Sequence, residues 1–79
     1  MYLVTFHTNF DANLFSRKAK TLGKAQMKPV PRQLSSSCGT CVVFEPADGG
    51  QMPDTLSSLA FEKMYVMADG DYELVAEKE

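Results

Sequence analysis

The residues most able to do chemistry are two cysteines, Cys38 and Cys41, which are separated only by Gly39 and Thr40. Thiols at this spacing can exchange a disulfide, hold a soft metal ion, or pass a persulfide sulfur from one to the other. The spacing alone leaves these chemistries open, so the surrounding residues must be considered.

The residues around Cys38 form a small polar loop. Ser35, Ser36 and Ser37 precede it, and Gly39 follows it. Hydroxyl groups and successive backbone N–H groups in such a loop can converge on an anion or a thiolate. We therefore predict that Cys38 is the more reactive thiol, held ionised in water. The predicted substrate-binding residues are Arg32, Ser35, Ser36, Ser37 and Gly39.

Two basic residues precede this loop on an extended segment. Lys28 and Arg32 lie on the same face by period-two counting. A positive charge near a thiol favours its thiolate form. Either residue is therefore expected to support ionisation of Cys38.

Cys41 begins the apolar run Cys41-Val42-Val43-Phe44. Such a run is typical of a strand, whereas a thioredoxin-type site needs a helix whose dipole lowers the pKa of the first cysteine. Free cysteine is also among the most buried residue types. Cys41 therefore has two interpretations: it resolves or shields an adduct on Cys38, or it only packs.

Metal and hydrolase chemistry find little support. His7 is the only further soft ligand in the chain, and a structural zinc site needs four ligands. Zinc would therefore require a homodimer that shares two cysteine pairs. A structural, hydrogen-bonded role is expected for His7. Glu62 and the other glutamates are dispersed and indicate no acid/base pair.

The loop lies between two predicted strands. Ala25–Leu34 is predicted to be an extended edge segment because Pro29 and Pro31 lack backbone donors at alternate positions. Cys41–Phe44 is the strand that follows the loop, and Tyr2–His7 is the first strand of the chain.

One long helix is predicted from Asp11 to Leu22, where apolar residues recur at i, i+3, i+7 and i+10. Thr8 and Asn9 can cap its start, and Gly23 is a natural stop.

The carboxyl-terminal half predicts a short helix and a hairpin. The helix covers Pro53–Phe61, with the proline in its first turn. Lys63–Met67 and Asp71–Val75 flank Asp-Gly, which supplies the positive φ angles of tight hairpins. Glu77–Glu79 is expected to fray. The element order predicts one α+β domain over residues 1–79, a ferredoxin-like βαββαβ sandwich whose antiparallel sheet has helices on one face, with an extra carboxyl-terminal hairpin.

Composition excludes several classes. The hydrophobic share of 44% and charged share of 23% are those of an ordinary globular chain. A formal net charge of −2 provides no overall attraction for nucleic acid or anionic lipid. No apolar run approaches the length of a membrane span. A cytoplasmic protein without nucleic acid or membrane partners is therefore expected.

A longer stretch carries a family resemblance. Pro29-Val-Pro-Arg-Gln-Leu-Ser-Ser-Ser-Cys-Gly-Thr-Cys41 resembles the selenium/sulfur carrier protein-like family, whose signature has the form P-x-P-R-x-[LI]-S-S-S-C-G. A weaker match covers Tyr2 to about Leu22. The resemblance implies a βαββαβ-like fold and a role in handling reactive sulfur or selenium, with Cys38 as the family's cysteine.

These observations predict a carrier or thiol-redox accessory protein rather than a stand-alone enzyme. Cys38 accepts a sulfane sulfur or selenium and Cys41 resolves it. The implied partners are a sulfur or selenium donor protein, such as a cysteine desulfurase, and an acceptor enzyme, and no cofactor is expected. The alternatives are a zinc-binding homodimer and a plain protein-interaction domain that pairs through the edge at Lys28 to Arg32.

Overall fold

Five strands and two helices form within residues 1–78, which the computed structural model describes. In chain order they are β1 (Tyr2–Thr5), α1 (Asn9–Lys20), β2 (Gly23–Pro29), β3 (Thr40–Pro46), α2 (Asp54–Ser57), β4 (Lys63–Ala68) and β5 (Asp71–Glu77). The predicted α+β class is confirmed. Neither helix of the described residues is long and apolar enough to cross a membrane.

The strands form one antiparallel sheet in the order β2-β3-β1-β4-β5. β2 lies at an edge of the sheet, as predicted. The strand ends at Pro29, however, which pairs with Thr40 in register. Pro31 lies beyond it, in a turn closed by a 3.0 Å hydrogen bond from the Leu34 N–H to the Pro31 carbonyl. The predicted extended segment is therefore shorter than Ala25–Leu34 at its carboxyl end.

The two faces of the sheet carry separate apolar clusters, because successive strand residues point to opposite sides. On one face both helices pack over the strands, and we call this the helix-side cluster: Val4, Phe6, Ala12, Phe15, Ala19, Val42, Phe44, Leu56, Phe61 and Met64. On the other face lies the open-side cluster of Leu3, Cys41 and Tyr65, against which Val30 and Leu34 pack from the β2–β3 connection.

α1 covers most of the predicted helix, but it begins at Asn9 and ends at Lys20, two residues before the predicted bounds of Asp11 and Leu22. The Thr8 hydroxyl accepts a 3.1 Å hydrogen bond from the Asp11 N–H and so caps the helix. The Phe15 ring meets the Phe6 ring edge-on at 5.3 Å between centroids. The helix ends at Lys20, and β2 starts directly at Gly23. A side chain at Gly23 would collide with the backbone of the β3 end, since an added Cβ would lie 2.9 Å from the Ala47 nitrogen.

The carboxyl-terminal hairpin is confirmed, with φ angles of 52° at Asp69 and 82° at Gly70. α2 is shorter than predicted and spans four residues. The predicted fraying of the tail is wrong for residues 77 and 78. β5 extends to Glu77, and the Lys78 ammonium donates hydrogen bonds of 2.7 Å and 2.9 Å to the carbonyl groups of Ser57 and Leu59. Glu79 lies outside the described residues.

Candidate functional site

The loop that carries Cys38 is attached to the sheet at both ends. The Ser36 hydroxyl donates a 3.1 Å hydrogen bond to the Phe6 carbonyl, just beyond β1. The Gly39 carbonyl accepts a 3.1 Å hydrogen bond from the Val30 N–H, which closes the connection on itself. Gly39 has a φ of 75°, a conformation that costs a residue with a side chain about 1–2 kcal/mol. The loop therefore has a defined conformation that hydrogen bonds hold in place.

Cys38 is half-buried and packs against the helix-side cluster. Its Sγ donates to the Thr40 carbonyl at 3.4 Å and lies 4.0 Å from the Ser36 hydroxyl oxygen. A hydroxyl and a thiol each have one proton. The Ser36 proton points to Phe6 and the Cys38 proton points to Thr40, so the Ser36 oxygen and the Cys38 sulfur are only in contact. Cys38 as a whole residue is therefore only partly covered by the fold.

Cys41 is fully buried, with 0% of its surface exposed. It belongs to the open-side cluster, whereas Cys38 packs against the opposite face of the sheet. Its Sγ donates to the Pro29 carbonyl at 3.7 Å. Burial raises the pKa of the Cys41 thiol above its ordinary value; the charge of Lys28 lowers that pKa and the charge of Cys38 raises it further. Both cysteines are free.

The predicted cations lie in different surroundings. Lys28 is the register partner of Cys41 across β2 and β3, so its charge acts on the buried thiol. Arg32 is exposed in the turn before the loop. Its role toward Cys38 or a substrate stays a prediction.

The loop binds an anionic side chain of the same protein, the carboxylate of Glu62. The Ser37 N–H donates to Oε1 of Glu62 at 3.2 Å, and the Ser37 hydroxyl donates to Oε2 at 2.9 Å. We call this pair of hydrogen bonds the Glu62 clasp. His7 Nδ1 lies 3.8 Å from the same Oε2, and His7 Nε2 lies 3.4 Å from the Lys78 carbonyl oxygen.

Several groups act on the pKa of Glu62. Partial burial raises it, but hydrogen bonds from the Ser37 backbone and hydroxyl and the charge of His7 lower it, and the pKa lies below its ordinary value. The carboxylate form therefore predominates at neutral pH, and the clasp is closed there.

The sequence analysis missed Glu62. The residue stands alone between α2 and β4, and its link to Ser37 spans 25 positions. The pairing of β1 with β4 places the start of β4 beside the end of β1, where Ser36 also binds. Glu62 could therefore be placed at the site only from a correct prediction that β1 pairs with β4.

The site residues fall into two groups. Ser36, Ser37 and Cys38 lie together with Glu62 and His7 at the end of β1. Ser35 and Gly39 are exposed on the same loop. Among the described residues no cluster of three or more His, Cys, Asp or Glu side chains could hold a metal ion.

Residues 1–66 match the protein family described as "Putative Se/S carrier protein-like". The chain belongs to this family. The matched range includes both cysteines, the serine loop, His7 and Glu62, and it stops within β4, so β5 and Lys78 lie beyond it. No curated protein and no solved structure matches the chain.

Proposed function

We propose that this member of the Se/S carrier-like family carries a sulfane sulfur or selenium atom on Cys38. The observation that carries the proposal is the contrast between the two thiols. Cys38 is half-buried on a displayed loop, whereas Cys41 is completely enclosed. Only a thiol that an incoming group can reach can exchange sulfur with another protein.

The loading step needs no added oxidant. The Cys38 thiolate attacks the outer sulfur of a donor persulfide, R–S–SH. A new S–S bond forms at Cys38, the S–S bond of the donor breaks, and the donor leaves as a thiolate. With a selenium atom in the outer position the same exchange forms an S–Se bond. The reverse attack, by an acceptor thiolate on the outer atom, unloads the carrier.

Cys41 is proposed as the resolving residue only for an opened form of the loop. Its thiol would attack Sγ of the Cys38 persulfide, which releases hydrogen sulfide and leaves a disulfide between the two cysteines. In this structure Cys41 lies on the opposite side of the sheet from Cys38, in the open-side cluster against which Val30 and Leu34 pack. Resolution therefore requires movement of the β2–β3 connection.

The fold supports a small protein that works with partners. The antiparallel order β2-β3-β1-β4, with β5 beside β4, supports a ferredoxin-like split β-α-β sandwich with one added strand. We propose this topology for the family domain. A donor, such as a cysteine desulfurase-like protein, must supply the activated sulfur, and an acceptor enzyme must receive it.

The zinc alternative is less favoured. Zinc shared between protomers needs both cysteines at the surface, and Cys41 is 0% exposed.

Intact-mass measurement tests the carrier proposal. The purified protein is incubated with a protein persulfide, and we expect a gain of one sulfur atom per chain, mapped to Cys38 by peptide analysis. Cys38→Ser should abolish the gain, whereas Cys41→Ser, the matched control, should retain it. Equal addition to Cys38→Ser, or none to the wild type, would reject the proposal.

A further inference from the structure

Glu62 is held by parts of the fold other than the loop it binds. Its backbone N–H donates a 2.7 Å hydrogen bond to the Thr5 carbonyl at the end of β1, and its carbonyl accepts a 2.9 Å hydrogen bond from the Lys78 N–H. Its side chain is only 16% exposed. The backbone of Glu62 is therefore held by β1 and by the chain after β5, and its carboxylate reaches the loop from this anchored position.

The clasp acts on the residue directly before Cys38. Both donors belong to Ser37, and they reach the two oxygens of one carboxylate. Hydrogen bonds to an ionised acceptor are about twice as strong as those between neutral groups. The other attachments near Cys38 are neutral, from Ser36 to Phe6 and from Val30 to Gly39. The clasp is thus the strongest single attachment of the loop.

The charged groups around Glu62 leave Ser37 as its main partner. His7 approaches to 3.8 Å, beyond ordinary hydrogen-bond distance. Lys63, the first residue of β4, directly follows Glu62, and its backbone N–H donates to the Thr5 hydroxyl. The Lys78 ammonium is bound to the carbonyl groups of Ser57 and Leu59 instead.

We propose that Glu62 is a positioning residue for Cys38: its carboxylate holds Ser37 and so keeps the loop closed over the helix-side cluster, which limits access to the thiol. As a part of the carrier mechanism this rests on the function proposed above. Opening of the clasp frees the loop and presents Cys38 to a reagent or a partner sulfur.

The test is the rate at which Cys38 reacts with 2,2′-dipyridyl disulfide, a thiol reagent that remains active in acid, with the adduct assigned by peptide mass. In Glu62→Gln one oxygen acceptor becomes an amide donor that faces a Ser37 donor. We expect Cys38 to react more than ten-fold faster at neutral pH, because both hydrogen bonds lose their charged acceptor and loss of one charge-assisted hydrogen bond alone corresponds to about ten-fold. Ser37→Ala, which removes only the hydroxyl donor, should give a smaller rise. The matched control Glu73→Gln, at an exposed position of β5, should react at the wild-type rate.

The pH profile separates positioning from general loosening of the fold. The wild-type carboxylate becomes protonated in acid, so the rate ratio of Glu62→Gln to wild type should fall to about one there. Hydrogen exchange of the Ser37 amide should be faster in the variant at neutral pH. A wild-type rate in Glu62→Gln, an equal rise in Glu73→Gln, or a ratio independent of pH would overturn the proposal. If Glu62→Gln does not fold, Ser37→Ala alone decides it.

This experiment does not depend on sulfur transfer. If the wild type gains no sulfur from a persulfide, the carrier function is rejected, yet the reagent rates still show whether Glu62 governs access to Cys38. If sulfur is gained but Glu62→Gln reacts at the wild-type rate, only the positioning role is rejected.

Discussion

Alanine substitution should separate the structural role of the fully buried Cys41 from that of the half-buried Cys38. Cys41→Ala removes a sulfur atom from a fully buried site beside Leu3 and Tyr65. Loss of the transfer free energy and the cavity left behind should lower the free energy of unfolding by about 1–2 kcal/mol. In a domain of this size each kcal/mol lowers Tm by about 4–8 °C. Cys38→Ala removes a half-buried sulfur and one weak hydrogen bond to Thr40, so its cost should stay within about 1 kcal/mol.

The assay is thermal and urea unfolding of both variants under reducing conditions, followed by circular dichroism. An unchanged m-value would show that the difference lies in stability and not in the denatured state. Native-state labelling of the wild type adds the kinetic counterpart, in which Cys38 reacts and Cys41 stays protected. A Tm of Cys41→Ala equal to that of the wild type, or a larger loss in Cys38→Ala, would refute the assignment of the two thiols.

Three further outcomes follow from the contacts. Because the pKa of Glu62 is lowered in the folded protein, the clasp stabilises the fold above the unfolded carboxyl pKa, and this contribution disappears as pH falls through the folded pKa. Urea titrations should therefore show that the difference in free energy of unfolding between wild type and Glu62→Gln becomes smaller in acid. A difference that does not change with pH would contradict this prediction. Lys78→Met keeps the aliphatic part of the side chain but loses two hydrogen bonds at the end of α2. Thermal unfolding should therefore show a free energy of unfolding that is lower by about 1–2 kcal/mol. An unchanged free energy of unfolding would mean that these hydrogen bonds do not contribute to stability. Gly23→Ala would push a methyl group into the backbone at Pro46 and Ala47, and should cost about 1–3 kcal/mol in urea unfolding; a neutral effect would show that β2 can shift freely.

Local signals predicted most of the elements. Thr8 caps α1 as expected, and Asp69-Gly70 forms the hairpin turn with the positive φ angles that its residue types favour. These features depend on neighbours within a few positions, which a sequence displays directly. The α+β class followed from their order.

Contacts between distant residues could not be predicted in the same way. Lys78 looks like part of a solvated tail, yet its ammonium reaches carbonyl groups about 20 positions away in the chain. Glu62 meets Ser37 only because β1 and β4 pair. Cys38 lies outside any strand, so period-two counting could not show that it packs on the face opposite to Cys41.

The β2–β3 connection serves both thiols at once. Val30 and Leu34 pack against the cluster that contains Cys41, and the same stretch of chain carries Cys38 a few residues later. Movement of the β2–β3 connection away from the sheet would expose Cys41 together with the apolar surface of Leu3 and Tyr65. Reaction between the two cysteines would thus expose apolar surface to water. A partner protein that covers this surface would lower the free-energy cost of the movement relative to that in the isolated domain.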